Sequence, residues 1–278
     1  MYSKKNIKTT LIKKIFTLLR KNYIIAIFIA CILSVGVVSF SRLFLAKPTY
    51  LYVKVKVGQG FWWAATQKPP IWLVDSLKKG DKAKDISGEI KAEVLSKRYY
   101  RYFGSGQYDV YLTLRIRVGE NKKTGEYVFD RSTISVGSPI DIQFPNAQAT
   151  GTVVRISREQ FNDKLVEKTI YLSKRGAFPW ELNSINVGDA LYDGEENIFE
   201  VIDKSGIETT AITWDAFGNN TPNITENSKY VTVKAKVKLR KVNNQWVFGE
   251  DTQIVPGDVI NVSTPNFTFS GYYVSRLE

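Results

Sequence analysis

The chain contains one long apolar run, close to its N-terminus. Residues 23–41 are nineteen consecutive positions without a charged side chain, and apolar residues continue to position 45 apart from Arg42. A helix rises 1.5 Å per residue, so one over 23–45 is long enough for a hydrocarbon layer of about 30 Å and closes its own backbone hydrogen bonds. The pattern therefore predicts a transmembrane helix at 23–45.

Basic residues lie mainly on one side of this predicted helix. Residues 1–22 hold seven Lys and Arg and no acidic residue. Basic flanks stay in the cytoplasm, so we expect 1–22 to be a cytoplasmic arm and the C-terminal part to lie outside the cell membrane as a single-pass protein. Two alternatives stay open, a cleaved signal peptide and a lipid anchor on Cys31.

Beyond the apolar run, the hydrophobic period changes to two. Residues 50–57 read YLYVKVKV, and residues 108–118 and 230–239 alternate apolar with polar side chains in the same way. This alternation is typical of β-strands with one buried and one solvated face. The chain outside the N-terminal segment is therefore predicted to be mainly β.

Much of this β region occurs twice in the sequence. Three pairs of identical residues are 108 positions apart, Trp72/Trp180, Gly80/Gly188 and Asp81/Asp189. Two later pairs are 120 positions apart, Gly137/Gly257 and Gly151/Gly271. The extra residues fit a lengthened loop at 218–228. We predict two tandem antiparallel β-barrel or sandwich domains of about six strands, at 49–157 and 166–278.

Composition excludes several functions. The chain has no His and one Cys, which excludes Ser-His-Asp and Cys-His catalysis and zinc sites built from both residues. The whole net charge of +12 arises from residues 1–74, which contain no acidic residue. Residues 75–278 hold equal numbers of basic and acidic side chains. A nucleic-acid partner is therefore not expected. No motif predicts a catalytic residue, a cofactor or a metal site.

The motifs of both copies resemble those of a known family. The Gly-Asp element, the alternating strand and the closing segment VGSPIDI…TGTVV are similar to domain-of-unknown-function family 4330. That resemblance implies a bacterial single-pass membrane protein with an extracytoplasmic β domain and no established activity, whereas this chain has two copies. The same closing segment also resembles the β-barrel strands of periplasmic adaptors in efflux and secretion systems.

Two aromatic clusters are candidate binding surfaces. The first contains Trp62 and Trp63, and the second joins rings to cations in one run. Rings and guanidinium groups together suit glycan, lipid headgroups or another protein. The candidate residues of the second cluster are Arg98, Tyr99, Tyr100, Arg101 and Tyr102.

These patterns lead to a functional hypothesis. We expect a non-enzymatic binding or structural module of the cell envelope, with the lipid bilayer and an envelope protein or cell-wall glycan as partners. Two alternatives are a hydrolase or transferase that uses carboxylates from both copies, and an adaptor-like subunit of a transport or secretion complex.

Overall fold

The computed structural model describes most of the chain outside the N-terminal arm and several loops. The described residues are 23–44, 48–58, 68–102, 106–121, 123–208, 211–214, 220–223 and 229–278, with backbone alone at 25, 26, 39–44, 211–214 and 220–223. The predicted arm 1–22 and the candidate residues Trp62 and Trp63 lie outside these ranges.

The chain divides into two compact units, Met1–Pro48 and Thr49–Glu278. In the first unit, helix α1 spans Tyr23–Phe44. Its described large side chains are apolar and exposed, among them Ile24, Phe28 and Leu33. Counting only fully described residues, we find no helix that combines the length and the apolar character needed to cross a membrane.

The second unit begins with an eight-stranded antiparallel sheet, the first sheet. Its order is β2-β3-β4-β1-β8-β7, and the hairpin β5–β6 continues from β4. The elements are β1 (Thr49–Val57), helix α2 (Ile71–Ser76), β2 (Lys82–Lys84), β3 (Ile90–Arg101), β4 (Tyr108–Asn121), β5 (Glu126–Phe129), β6 (Ser132–Ile134), β7 (Pro139–Gln143) and β8 (Gln148–Ser157).

A second sheet of eight strands follows with the same topology, β10-β11-β14-β9-β18-β17 plus β15–β16. It adds the separate hairpin β12–β13 between β11 and β14. Its elements are β9 (Leu165–Ala177), helix α3 (Pro179–Ser184), β10 (Ala190–Tyr192), β11 (Asn197–Glu208), β12 (Ala211–Trp214), β13 (Asn220–Asn223), β14 (Lys229–Val242), β15 (Gln245–Phe248), β16 (Thr252–Gln253), β17 (Val259–Ser263) and β18 (Thr268–Leu277).

The shared topology confirms the mainly-β class and the internal repeat, with more strands per copy than the predicted six. The sequence alignment of the closing strands is wrong by one residue. The N–H of Gly137 donates to the carbonyl of Val153, and the N–H of Gly257 donates to that of Val274, so Val153 corresponds to Val274. One additional residue in β18 accounts for the difference, and the sheet is irregular there.

The repeated Gly-Asp element is a structural turn in both sheets. Gly80 and Gly188 adopt φ values of 89° and 91°, which favour glycine. The Asp81 carboxylate accepts a hydrogen bond from the Lys78 N–H, and the Asp81 backbone carbonyl accepts one from the Val94 N–H. Asp189 accepts the equivalent two hydrogen bonds, from the N–H groups of Asn186 and Val201. These motif residues therefore fix the turn that follows the short helix.

Each sheet has its own apolar core, formed by the inward positions of the alternating strands. Every second residue of β4 from Val110 to Val118 is buried, as is every second residue of β14 from Val231 to Leu239. The match of these buried positions aligns β4 with β14 residue by residue. Strand β1 pairs with β4 and β9 pairs with β14, so the same alignment makes Lys54 of β1 equivalent to Tyr171 of β9.

Candidate functional site

The candidate run from Arg98 to Tyr102 lies at the end of β3 and reaches the second sheet. Tyr100 packs against the core of that sheet, and its ring stands 6.1 Å from the ring of Tyr111 in an edge-to-face arrangement. Its hydroxyl is buried without a hydrogen-bond partner among the described residues. Burial is the main reason that the pKa of Tyr100 is raised. Tyr100 therefore belongs to an internal interface.

Arg98 forms an ion pair across the same interface. Its guanidinium lies 2.5 Å from Asp193 and 3.4 Å from Glu196, and the Asp193 side chain is completely buried. Burial opposes the charge on Arg98, but the nearby negative groups, Asp193 first among them and Glu250 and Glu196 after it, together outweigh that effect and raise the pKa of Arg98. A carboxylate buried without this partner would be destabilising, so the Arg98 pair stabilises the packing of the two sheets.

A glycine allows the two backbones to approach beside Tyr99. The Tyr99 N–H donates to the carbonyl of Asp193 at 2.7 Å. A Cβ at Gly194 would stand 2.6 Å from the Lys97 carbonyl oxygen and 2.9 Å from the Tyr99 ring, and Gly194 has a φ of 105°. No other residue type fits this position without a shift of the backbone. We call the contacts made by Arg98, Tyr99 and Tyr100 with the second sheet the docking interface.

The segment between the sheets is bound to both of them. Asp163 lies 3.1 Å from Lys54 and 2.7 Å from Arg155 in the first sheet, and 3.1 Å from Arg240 in the second. Lys54 also contacts Glu250 at 2.7 Å. Burial alone would raise the pKa of Asp163, but the hydrogen bond from Arg155 and the charge of Lys54 lower it to about 2. The connecting segment thus adds a second set of contacts between the sheets, beside the docking interface.

Beside these ion pairs, a cleft of about 300 Å³ lies between the two sheets. We call it the interdomain cleft. Residues of both copies line it. The first copy contributes Tyr100, Arg101, Tyr102, Asp109 and Tyr111, and the second copy contributes Leu191, Phe248, Gly249, Glu250, Asp251, Thr252, Asn261, Val262 and Ser263. The cleft is therefore the place where the predicted candidates Arg101 and Tyr102 face the second copy.

Carboxylates in the cleft are paired with lysines. Asp109 is 2.6 Å from Lys68 and 3.5 Å from Lys56, which also lies 3.2 Å from Asp251. The Tyr111 hydroxyl donates to Asp251 at 2.8 Å. Burial would raise the pKa of Asp251, but the Tyr111 hydrogen bond, the charge and hydrogen bond of Lys56 and the charge of Lys68 together lower it. The lowered pKa of Asp251 favours its ionised form.

Four acidic residues lie close together in the sequence of the second copy, Asp189, Asp193, Glu195 and Glu196, and the two aspartates have structural partners. The Asp193 carboxylate accepts hydrogen bonds from the N–H groups of Glu195 and Glu196, and Asp189 binds Asn266. Within the part of the chain that the structure describes, no group of three or more His, Cys, Asp or Glu residues is arranged to hold a metal ion.

Comparison of the chain with protein-family models, with curated proteins and with solved structures found no match. The resemblance to domain-of-unknown-function family 4330 therefore stays a prediction. So does the binding role of Arg98 to Tyr102, although the structure places the first three of these residues between the sheets and leaves Arg101 and Tyr102 exposed.

Sequence reasoning identified the run but missed its partner within the chain. The contacts that it missed are Lys54, Lys56 and Tyr111 on one side and Glu250 and Asp251 on the other. A signal was present, because the basic run of one copy and the acidic patch from Asp189 to Glu196 of the other are complementary charges in tandem domains. Such patches can bind each other as readily as an external partner.

Proposed function

We propose that the protein is a non-enzymatic binding module of the cell envelope, held to the membrane by its N-terminal helix, with its β domains outside. The observation that carries the binding role is the interdomain cleft, which is lined by residues of both sheets and bordered by ion pairs. Ligand sites commonly occur between domains, in clefts that exist before the ligand arrives. The docking interface would hold the two walls of this cleft at a constant separation.

Support for the membrane anchor comes from the sequence. Residues 23–41 lack charged side chains, and α1 carries exposed apolar side chains around its circumference. A helix that is apolar on all sides is stable when lipid or protein covers it. Because no fully described helix meets the requirements for spanning, the anchor is a proposal that experiment has to decide.

The experiment is fractionation of cells that express the full chain with a reporter after Glu278. We expect the protein in the membrane fraction after an alkaline carbonate wash and its release by detergent. We also expect a reporter that works only outside the cytoplasm to be active. Release by the wash alone, or a reporter active in the cytoplasm, would contradict the anchor or its orientation.

One observation favours a second candidate, a carboxylate-dependent hydrolase. Asp109 and Asp251 come from different copies and contact the same Lys56 nitrogen, so they are no further apart than paired catalytic carboxylates, about 5 to 9.5 Å. Such a mechanism needs one carboxyl with a raised pKa to protonate the leaving group. Among described residues, each carboxyl whose pKa departs from its ordinary value has a lowered one. The electrostatics therefore favour binding.

A further inference from the structure

Arg101 gives the interdomain cleft an unpaired positive charge. It is exposed at the end of β3, it lines the cleft, and no described residue forms an ion pair with it. The lysines near it are already engaged, Lys68 with Asp109 and Lys56 with both Asp109 and Asp251. A ligand that brings one negative charge would complete the charge balance of the cleft.

The surroundings of Arg101 favour a carboxylate over a phosphate. A guanidinium group binds a planar carboxylate through two parallel hydrogen bonds. A phosphate monoester carries close to two negative charges at neutral pH. The second charge would face Asp109 and Asp251, and among the described residues of the cleft no further free cation is present to bind it. The unpaired Arg101 therefore matches a ligand with a single carboxylate.

The rest of the cleft offers groups that bind hydroxyls. Thr252 and Asn261 line it and are exposed, and the Asp251 side chain is 65% exposed. Each of them can exchange hydrogen bonds with alcohols. Tyr102 adds an aromatic ring that is 45% exposed and has the Lys68 ammonium 3.5 Å from its centre. Hydroxyl-binding side chains beside an exposed ring suit a saccharide.

We propose that the interdomain cleft binds a sugar that carries a carboxylate, of the hexuronate type, with Arg101 on the carboxylate and Asp251, Thr252 and Asn261 on the hydroxyls. Its volume of about 300 Å³ is at the lower end for ligand sites, which fits one or two sugar rings. This inference rests on the proposed binding function and names the ligand class.

The test is a saturation-transfer NMR titration of the full-length protein in detergent with three probes, glucuronate, glucose and acetate. We expect saturable binding of glucuronate. Glucose lacks the carboxylate and so loses the charge-assisted hydrogen bonds to Arg101, whereas acetate keeps them and loses the contacts of the ring and its hydroxyls. Each probe should therefore bind about tenfold more weakly or worse. Equal binding of acetate would overturn the sugar assignment, and equal binding of glucose would overturn the role of Arg101.

Two variants refine the test. Arg101→Gln should lower glucuronate affinity to that of glucose. Arg175→Gln, on an exposed arginine of β9 outside the cleft, is the matched control and should leave affinity unchanged. Higher salt should weaken glucuronate binding to the unmodified protein, a readout that does not depend on a variant that folds. Absence of saturable glucuronate binding would overturn the proposal. Membrane extraction and reporter activity test the anchor separately.

Discussion

The two β copies share a topology but differ at the surface where they meet. In the first sheet, Lys54, Arg98 and Tyr100 contact the second copy. The strand pairings place Tyr171, Ser205 and Ile207 at the corresponding positions of the second sheet. Ile207 is 68% exposed where Tyr100 is largely buried. The repeated core thus specifies the fold, whereas a few outward side chains specify docking.

The opposite surfaces differ as well. In the second copy Gly194 follows Asp193, and in the first copy Ile86 follows Asp85, with Ile86 fully exposed. Asp85 and Asp193 each accept two backbone hydrogen bonds through the carboxylate, but the turn at Asp85 closes on Glu89 and is one residue longer than the turn from Asp193 to Glu196. An isoleucine cannot occupy the space of Gly194 against another strand. The same docking contact therefore cannot continue to a third copy in a head-to-tail series.

The largest expected effect of breaking this asymmetry is at Tyr100. Tyr100→Ala should lower the free energy of unfolding by about 3 kcal/mol, because it removes a ring that packs, largely buried, against the second core. Ile207→Ala, at the equivalent exposed position, should cost about 0.5 kcal/mol or less. Urea unfolding followed by tryptophan fluorescence would measure both. Tyr100→Phe keeps the ring and removes an unpaired hydroxyl, so it should be neutral or stabilising. Equal losses for Tyr100→Ala and Ile207→Ala would contradict the assigned interface.

A smaller effect is expected at Gly194. Gly194→Ala should destabilise the protein because the new methyl group meets the Lys97 carbonyl. Gly257→Ala is a matched control, since Gly257 has a φ of 100° and open space around its Cβ position. The difference between the two variants in thermal unfolding should correspond to about 1 to 3 kcal/mol. If both variants lose the same stability, backbone strain alone accounts for the loss, and the inferred close contact of the sheets at Gly194 is contradicted.

The smallest effect concerns pH. The pKa of Asp163 is about 2 in the folded protein, below its ordinary value of 3.8. Its stabilisation is therefore fully present above pH 3.8 and is lost as the pH falls towards 2, by about 1 to 2 kcal/mol after allowance for solvent screening. Unfolding of the protein and of Asp163→Asn should be compared at pH 6 and in that acid range. The difference between them should shrink with acid; a constant difference would exclude this linkage.

Much of the fold follows from the sequence, because period-two alternation and repeated Gly-Asp turns are local signals. Val110 to Val118 and Val231 to Leu239 form the predicted strands. Alignment by identity alone missed the register at Val274, since an irregularity in a strand adds a residue without changing the pattern of residue types.

The candidate site was predictable in its residues and not in its surroundings. Rings and cations mark Arg98 to Tyr102 as unusual, but whether Tyr100 faces solvent or a second core depends on how the domains pack. That packing depends on single residues such as Gly194, which has no local signature. Composition predicted a loop at 218–228, but strand β13 occupies Asn220–Asn223 inside it, so the prediction is wrong for those four residues.

The attachment of Asp163 to both copies has a mechanical consequence. A tension applied across residues 49–278 would reach the Asp163 contacts to Lys54 and Arg240 before the connecting segment could lengthen. Those contacts, together with the Arg98 pair, would bear the load in parallel and would have to rupture together. The two sheets would therefore separate in one abrupt step under force, instead of moving apart gradually as two domains joined by a flexible linker would.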